Sequence, residues 1–135
     1  EKRRGEKMKK LLLFLITTML FVGCFGKQED ISSQIIGNTY ILQGVLPESE
    51  IDINFEKDKV SGTSSVNRYF ANYTLEGNKI SIQEPGSTRM MGPENLMIQE
   101  QEYLKNLKDS KEIEVTKDGI ILLTNSGVKL NFVKK

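Results

Sequence analysis

Residues 92–108 read GPENLMIQEQEYLKNLK, and this stretch breaks the strand pattern that surrounds it. Pro93 stands where the first turn of a helix would lie and Glu94 follows it, a combination typical of helix starts. The apolar residues then recur at helical spacing and fall on one stripe: Leu96, Met97, Tyr103, Leu104 and Leu107. The stretch therefore predicts a single amphipathic helix inserted at residues 93–108.

On both sides of this helix, apolar and polar residues alternate, which is the pattern of half-buried strands. The alternating apolar positions are Ile51, Ile53 and Phe55, then Ile80 and Ile82, then Val128, Leu130 and Phe132. The run Ile120–Leu123 is continuously apolar and predicts a strand covered on both faces. Turn residues separate the strands, as in the hairpins of an antiparallel sheet. We therefore expect an α+β fold, in which a curved antiparallel sheet of about eight strands, shaped like an open barrel, packs on the single helix.

Glu100 lies in the centre of the apolar stripe, four residues after Leu96 and four before Leu104. A carboxylate rarely sits there without a partner, because an unpaired buried charge costs on the order of several kcal/mol. Arg68 and Arg89 are the only arginines after residue 23, and arginine suits pairing with a carboxylate. We therefore predict that Glu100 pairs with Arg89 or Arg68 in a structural polar cluster, which we favour over a catalytic role.

The residue pattern in the first part of the chain predicts a targeting segment there rather than part of the folded domain. Residues 1–7, EKRRGEK, precede Met8 and are interpreted as an upstream, non-native segment. Two lysines then precede the apolar run Leu11–Val22, which has 12 residues. A membrane-spanning helix needs roughly 20, so this run is too short to span but fits a signal peptide. We therefore assign residues 8–23 to a lipoprotein-type signal peptide.

Cys24 is the only cysteine and ends this run in the sequence LFVGC. It cannot form a disulfide within the chain, and the segment resembles the signal of bacterial lipoproteins, in which a lipidated cysteine follows a small residue. We expect a lipid anchor on Cys24, which places the protein in the cell envelope, on the periplasmic or extracytoplasmic face of a membrane. The alternative is an ordinary secreted protein with a free thiol.

The charge distribution limits the partners. Six of the 19 Lys and Arg residues but only two of the 18 Asp and Glu residues lie in residues 1–23, so residues 24–135 carry a net charge of −3. Because no basic cluster remains there, nucleic acid is not an expected partner. Residues 24–36 are mostly polar and predict a tether, and residues 37–135 form the predicted domain.

Residue types also exclude common kinds of catalytic and metal site. The chain has no histidine, which removes Ser-His and Cys-His catalytic systems and imidazole metal sites. Ser126 and Lys129 match a Ser-x-x-Lys spacing, but across a turn and a strand they would point to opposite faces. The acidic stretch Asp52–Asp58 lacks the glycine and glutamate of a calcium loop. We expect no catalytic residue, no metal and no cofactor, and therefore no enzyme.

Three stretches carry motifs that occur in one order: VSGTSSVNRYFANY at 60–73, STRMMGPENLMIQEQEYLKNL at 87–107 and IILLTNSGVKLNF at 120–132. They resemble the META-domain (HslJ-like) family. The matching positions are Ser61, Gly62, Asn67, Arg68, Tyr69, Tyr73, Thr88, Arg89, Met90, Met91, Met97, Glu100, Tyr103, Leu104 and Leu107. The resemblance covers nearly all of residues 37–135.

Both cysteine positions of the family pattern are changed here, to Val66 and Gly92, as expected of two positions that are neighbours in space. We therefore predict that Val66 lies close to Gly92 and that this place has no redox role. Asn67 and Arg68 then belong to a structural loop, because asparagine bonds readily to nearby main chain. A ligand site in this loop is the alternative.

The resemblance implies an envelope protein of a family associated with heat shock and stress and without an established general catalytic activity. We expect a lipid-anchored, non-enzymatic stress-response or interaction module with an envelope protein as partner. The alternative is a carrier that holds a small apolar ligand between sheet and helix. A deep apolar pocket would favour the carrier, whereas an exposed apolar patch would favour a protein partner.

Overall fold

The computed structural model describes residues 30–135, which form nine strands and two helices. The helices are α1 (Ile31–Ile35) and α2 (Glu94–Lys108). The strands are β1 (Thr39–Leu42), β2 (Asp52–Phe55), β3 (Lys59–Thr63), β4 (Arg68–Glu76), β5 (Lys79–Ile82), β6 (Gly86–Ser87), β7 (Ser110–Val115), β8 (Gly119–Thr124) and β9 (Lys129–Lys134). The predicted signal peptide (8–23) and Cys24 lie outside the described residues.

Eight of the strands close into an antiparallel barrel in the order β1, β2, β3, β4, β5, β7, β8, β9 and back to β1. β6 is an addition of two residues that pairs with β4. The predicted α+β fold, with one antiparallel sheet packed on one main helix, is confirmed. The barrel is closed rather than open. Its shortest strand pairing joins β5 to β7, where Lys79 pairs with Glu112.

The barrel interior is filled by the alternating apolar residues of the strands, because successive side chains of a strand point to opposite faces. Aromatic rings meet edge to face there: the ring centroid of Phe55 lies 6.0 Å from that of Tyr40 and 5.6 Å from that of Tyr73. Each such pair contributes about 0.5–1.5 kcal/mol beyond its buried area. The filled interior stabilises the barrel, and candidate polar sites are therefore expected at its ends.

Two details of the strand prediction differ from the structure. Val128 lies in the turn before β9 and is 40% exposed, so it is not part of the alternating strand. In β8, Ile120 and Leu122 are buried, but Ile121 and Leu123 on the outer face are only partly covered. The barrel covers one face of this strand, and nothing within residues 30–135 fully covers the other.

Helix α2 crosses one end of the barrel, which we call the helix end. Side chains attach it to three connections there: Gln99 to β1–β2, Glu100 to β3–β4, and Asp109, directly after the helix, to β8–β9. The apolar side of the helix faces the core, where Tyr103 and Leu107 are buried. One helix is therefore enough to cover this end of the barrel.

The opposite end, which we call the tether end, holds α1. The Asp30 side chain caps this helix by accepting a hydrogen bond from the Ser32 N–H. Ile35 is fully buried in the core, and Ile31 packs against it. Residues 31–35, which the prediction placed in a tether extending to residue 36, are therefore part of the fold. Among residues 30–135, neither helix is long and apolar enough to cross a membrane.

Candidate functional site

Glu100 is the centre of the candidate site and is only 4% exposed. Its Oε1 accepts hydrogen bonds from Ser64 Oγ at 2.7 Å and from the N–H groups of Asn67 at 2.6 Å and Val66 at 3.3 Å. Its Oε2 accepts one from Asn67 Nδ2 at 2.8 Å. Four donors thus converge on one carboxylate, and they fasten α2 to the connection between β3 and β4.

The predicted ion pair between Glu100 and an arginine is not formed, and this prediction was wrong. Arg68 and Arg89 are both exposed. The ion pair present in residues 30–135 joins Lys108 to Glu84 on the surface. The β3–β4 connection provides the partners of Glu100 in place of an arginine. Its backbone N–H groups stabilise the carboxylate by hydrogen bonding and bring no second charge that must itself be buried.

The hydrogen bonds keep Glu100 ionised. Burial is the largest single influence and raises the pKa of Glu100, but the bonds from the Asn67 and Ser64 side chains and from the main chain of Asn67 and Val66 together outweigh it. The pKa of this carboxyl therefore lies below its ordinary value. A low pKa favours the charged acceptor that the fold uses and makes Glu100 a poor proton donor.

Asn67 links this carboxylate to a second segment of the chain. Its Nδ2 also donates to the Met90 carbonyl at 3.1 Å, and its Oδ1 accepts from the Met90 N–H at 2.6 Å and from Thr88 Oγ1 at 3.0 Å. The amide side chain thus pairs with both main-chain groups of Met90, as a neighbouring strand would. We call Ser64, Asn67, Thr88 and Glu100 the polar hub. Of the predicted cluster, the structure brings Asn67 and Glu100 together and leaves both arginines outside.

Gln99, which sequence reasoning missed, fastens α2 to a further loop. Its Oε1 accepts from the Leu46 N–H at 2.7 Å, and its Nε2 donates to Ser49 Oγ at 2.9 Å and Ser65 Oγ at 3.0 Å. Ser65 has a φ of 96°, a conformation that residues other than glycine rarely adopt. Gln99 directly precedes Glu100 in the predicted helix, and this position is the sequence signal that could have identified it.

Two tyrosine hydroxyls join α2 to β4 beneath the polar hub. The Tyr69 hydroxyl donates to the main-chain oxygen of Asp52 at 2.8 Å and lies 2.7 Å from the Tyr103 hydroxyl. Because the Tyr69 proton is used on Asp52, Tyr103 is the donor between the two hydroxyls. Burial raises the pKa of both tyrosines. The pair therefore stays protonated and acts as a structural link.

Val66 and Gly92 are in contact, which confirms the predicted proximity. A β-carbon placed on Gly92 would lie 2.8 Å from Cγ2 of Val66 and 3.5 Å from its Cβ. The first distance leaves no room for a side chain at 92 while residue 66 is valine. The second lies within the range of about 3.5–4.5 Å that disulfide-bonded residues show between their β-carbons.

Exposed apolar side chains lie on the elements that the polar hub holds. Phe70 in β4 is 61% exposed, Met90 is 57% exposed and Met91 is 88% exposed. Arg68 and Arg89 flank them in sequence and are also exposed. This surface adjoins the helix end of the barrel and is separate from the buried core.

The described residues form an open groove at the surface. This groove, of about 840 Å³, lies beside α1 and extends over β7 and β8. It is lined by apolar residues of α1 and β8, including Ile31, Ile121 and Leu123, and by Glu112 and Lys129. Every buried polar side-chain atom in residues 30–135 has a hydrogen-bond partner. In the same residues, no group of three or more acidic, Cys or His side chains is placed to hold a metal ion.

Comparisons with known proteins agree with this architecture. The model of the META domain family matches residues 33–135. An NMR structure of a protein from Burkholderia xenovorans is 21% identical, with a TM-score of 0.65, and the match covers 82% of this chain and 92% of that one. A second NMR structure is 19% identical, with a TM-score of 0.61 over 75% of this chain and 92% of that one. No curated protein matches the chain. Because the family model spans most of its length, the chain belongs to the META domain family.

Proposed function

We propose that this protein is a lipid-anchored, non-enzymatic interaction module of the cell envelope, which binds a partner protein at the helix end of its barrel. The META domain family is not an established enzyme family. A role in the stress response belongs to the same proposal and rests on the family resemblance. The anchor on Cys24 rests on the signal-like sequence that precedes it.

The observation that carries the proposal is the contrast between the hub and the surface beside it. The buried polar groups of the hub are all engaged in holding α2, the β3–β4 connection and residues 88–90 together. Asn67 of the hub bonds to both main-chain groups of Met90, and the side chains of Met90 and the adjacent Met91 are exposed. Apolar side chains that a rigid framework keeps in solvent are typical of surfaces that bind proteins.

The carrier alternative is less well supported by the cavities. A carrier needs a concave pocket that encloses most of its ligand. The barrel interior is instead filled with core side chains such as Phe55 and Leu122. The groove beside α1 is open to solvent and carries the carboxylate of Glu112 and the ammonium of Lys129 among its lining groups.

The position of the surface relative to the anchor also favours a partner protein. Directly after α1, the Gly37 N–H donates to the carbonyl of Phe55, the last residue of β2, so the chain enters at the end where β2 and β4 finish. β4 begins at the other end with Arg68. The nine residues of this strand span about 26 Å at roughly 3.3 Å per residue. A domain tethered at residue 30 can therefore present Met90 and Met91 away from the membrane.

The test is to carry a photo-reactive amino acid at position 91 in the whole protein within its native envelope. The matched control carries it at Lys117, an exposed residue in the turn between β7 and β8 at the tether end. We expect a discrete protein adduct from position 91 and none from 117. Equal adducts from both positions, or none from either, would contradict the proposed binding surface.

The masses of the same preparation test the remaining parts. A denatured mass that begins at Cys24 and includes acyl chains is expected. A mass that begins elsewhere without acyl chains would refute the anchor. A small-molecule adduct that appears only in the native mass spectrum would support the carrier instead.

A further inference from the structure

Residues 87–91, which we call the edge segment, run along β4 at its outer margin. The Thr88 N–H donates to the Arg68 carbonyl at 3.0 Å, and the Met90 N–H donates to Asn67 Oδ1 at 2.6 Å. Alternate N–H groups therefore point towards the barrel, as they do in a strand that is paired on one side. All five residues of the edge segment are exposed.

The other side of the edge segment has unused donors. Within residues 30–135, the structure gives no hydrogen bond to the N–H of Arg89 or to that of Met91. These two groups are two residues apart, which is the repeat at which a neighbouring strand accepts hydrogen bonds. Unpaired main-chain groups in this arrangement are a template for a further strand.

Two prolines limit the length of this free edge. Pro85 and Pro93 flank the edge segment and have no N–H to donate. The free edge is therefore short, and it suits a few residues of an extended peptide better than a long strand. Prolines at the margins also protect the protein from uncontrolled edge-to-edge association.

The charges around the edge segment indicate the chemistry of an occupant. Arg89 is the only charged residue between Pro85 and Pro93. Arg68 is exposed on β4 opposite Thr88, and the exposed Phe70 lies two residues further along the same strand. Arginine and methionine are enriched in protein interfaces, and methionine adapts to partners of different shape.

We propose that the edge segment binds an extended segment of a partner protein that is both acidic and apolar, which adds to it as a further strand. The N–H groups of Arg89 and Met91 donate to the partner's main chain. The two arginines attract its carboxylates, and Phe70, Met90 and Met91 contact its apolar side chains. This inference rests on the proposed interaction function and names the partner's chemistry.

Two other occupants fit the surface less well. A second copy of the chain would bring its own Arg89 to the same edge, and like charges at an interface oppose pairing. A membrane has no strand to add to the unpaired N–H groups, and the edge segment lies at the end of β4 away from residue 30. A peptide strand uses the main-chain donors, the arginines and the apolar side chains together.

The test is a titration of the ¹⁵N-labelled whole protein, in mild detergent, with a capped heptapeptide of alternating valine and glutamate. We expect amide shifts centred on residues 87–91 and slower hydrogen exchange at Arg89 and Met91. Arg89→Pro removes one outward donor at an edge position that tolerates proline, and it should weaken binding about tenfold or more. The double variant Arg68→Glu/Arg89→Glu should weaken it similarly, whereas Lys117→Glu at the tether end should not.

Four results would overturn the inference. The first is shifts confined to another surface, and the second is equal binding of a valine–lysine peptide. The third is a concentration-dependent change at 87–91 without peptide, which would indicate a second copy of the chain. The fourth is binding of anionic phospholipid vesicles through the same residues. If photo-crosslinking from position 91 succeeds while this peptide fails, the interaction function stands and only the strand-addition mode is refuted.

Discussion

Replacing Glu100 by glutamine keeps the shape of the side chain and removes its charge. The new amide can keep its oxygen towards the Asn67 N–H and Ser64, but its NH2 group then faces Asn67 Nδ2, so that two donors meet. One hydrogen bond is lost and three change from a charged to a neutral acceptor. The lost hydrogen bond costs about 1 kcal/mol, and each of the three weakened bonds costs a few tenths of a kcal/mol. We therefore expect the free energy of unfolding to fall by about 2 kcal/mol.

The assay is urea unfolding of the whole protein, with thermal unfolding as a second readout. A loss of about 2 kcal/mol corresponds to a Tm lowered by roughly 10 °C for a domain of this size. Glu102→Gln is the matched control, because Glu102 lies on the same helix but is exposed. If the two variants differ by less than about 0.5 kcal/mol, the stabilising role of the polar hub is refuted.

The pH dependence gives an independent check on the charge. The folded-state pKa of Glu100 is lowered, so its ionised form contributes stability that is present above the unfolded pKa of about 4.3. That contribution is lost as the pH falls through the folded-state pKa. The stability difference between the native protein and Glu100→Gln should be constant above about pH 5 and should shrink below about pH 4. A difference that stays constant down to pH 3 would mean that the carboxylate is not the ionised acceptor described.

Two further predictions concern the same end of the barrel. In a chain that carries Cys24→Ser, the double variant Val66→Cys/Gly92→Cys should form a disulfide, and loop closure should stabilise the domain by about 3.5 kcal/mol. Gly92→Cys alone should destabilise the domain, because the new side chain contacts Val66. Free thiols in the oxidised double variant would contradict this geometry. Tyr69→Phe should cost more stability than Tyr103→Phe, by about 1 kcal/mol in urea unfolding, because only the first leaves a buried hydroxyl donor without a partner; the reverse order would show that the donor assignment is wrong.

The parts of the fold that depend on local patterns could be predicted from the sequence. The alternation through Ile51, Ile53 and Phe55 and the helix start at Pro93 both act over a few residues. Closure of the barrel depends on pairings such as β1 with β9, which join strands far apart in sequence. No local pattern encodes that register. The short helix α1 was assigned to the tether because five residues are too few to show a helical period.

The candidate site shows the same division. The burial of Glu100 could be predicted because its spacing from apolar neighbours on a helix is a local property. Its partners could not, because they are mostly main-chain groups, which every residue carries and no residue type marks. The prediction favoured Arg68 and Arg89 because a charged side chain is the partner that a sequence displays. The proximity of Val66 to Gly92 came from the family resemblance.

Amide hydrogen exchange along residues 64–91 tests the central claim most directly, since that claim joins a rigid polar hub to a free edge. The N–H groups of Asn67 and Met90 should exchange on the order of 100-fold more slowly than those of Arg89 and Met91, which have no acceptor in the described chain. This alternation along adjacent residues would support both the hub and the free edge. Uniformly fast exchange would contradict the rigid hub, and uniformly slow exchange would show that the edge is already occupied.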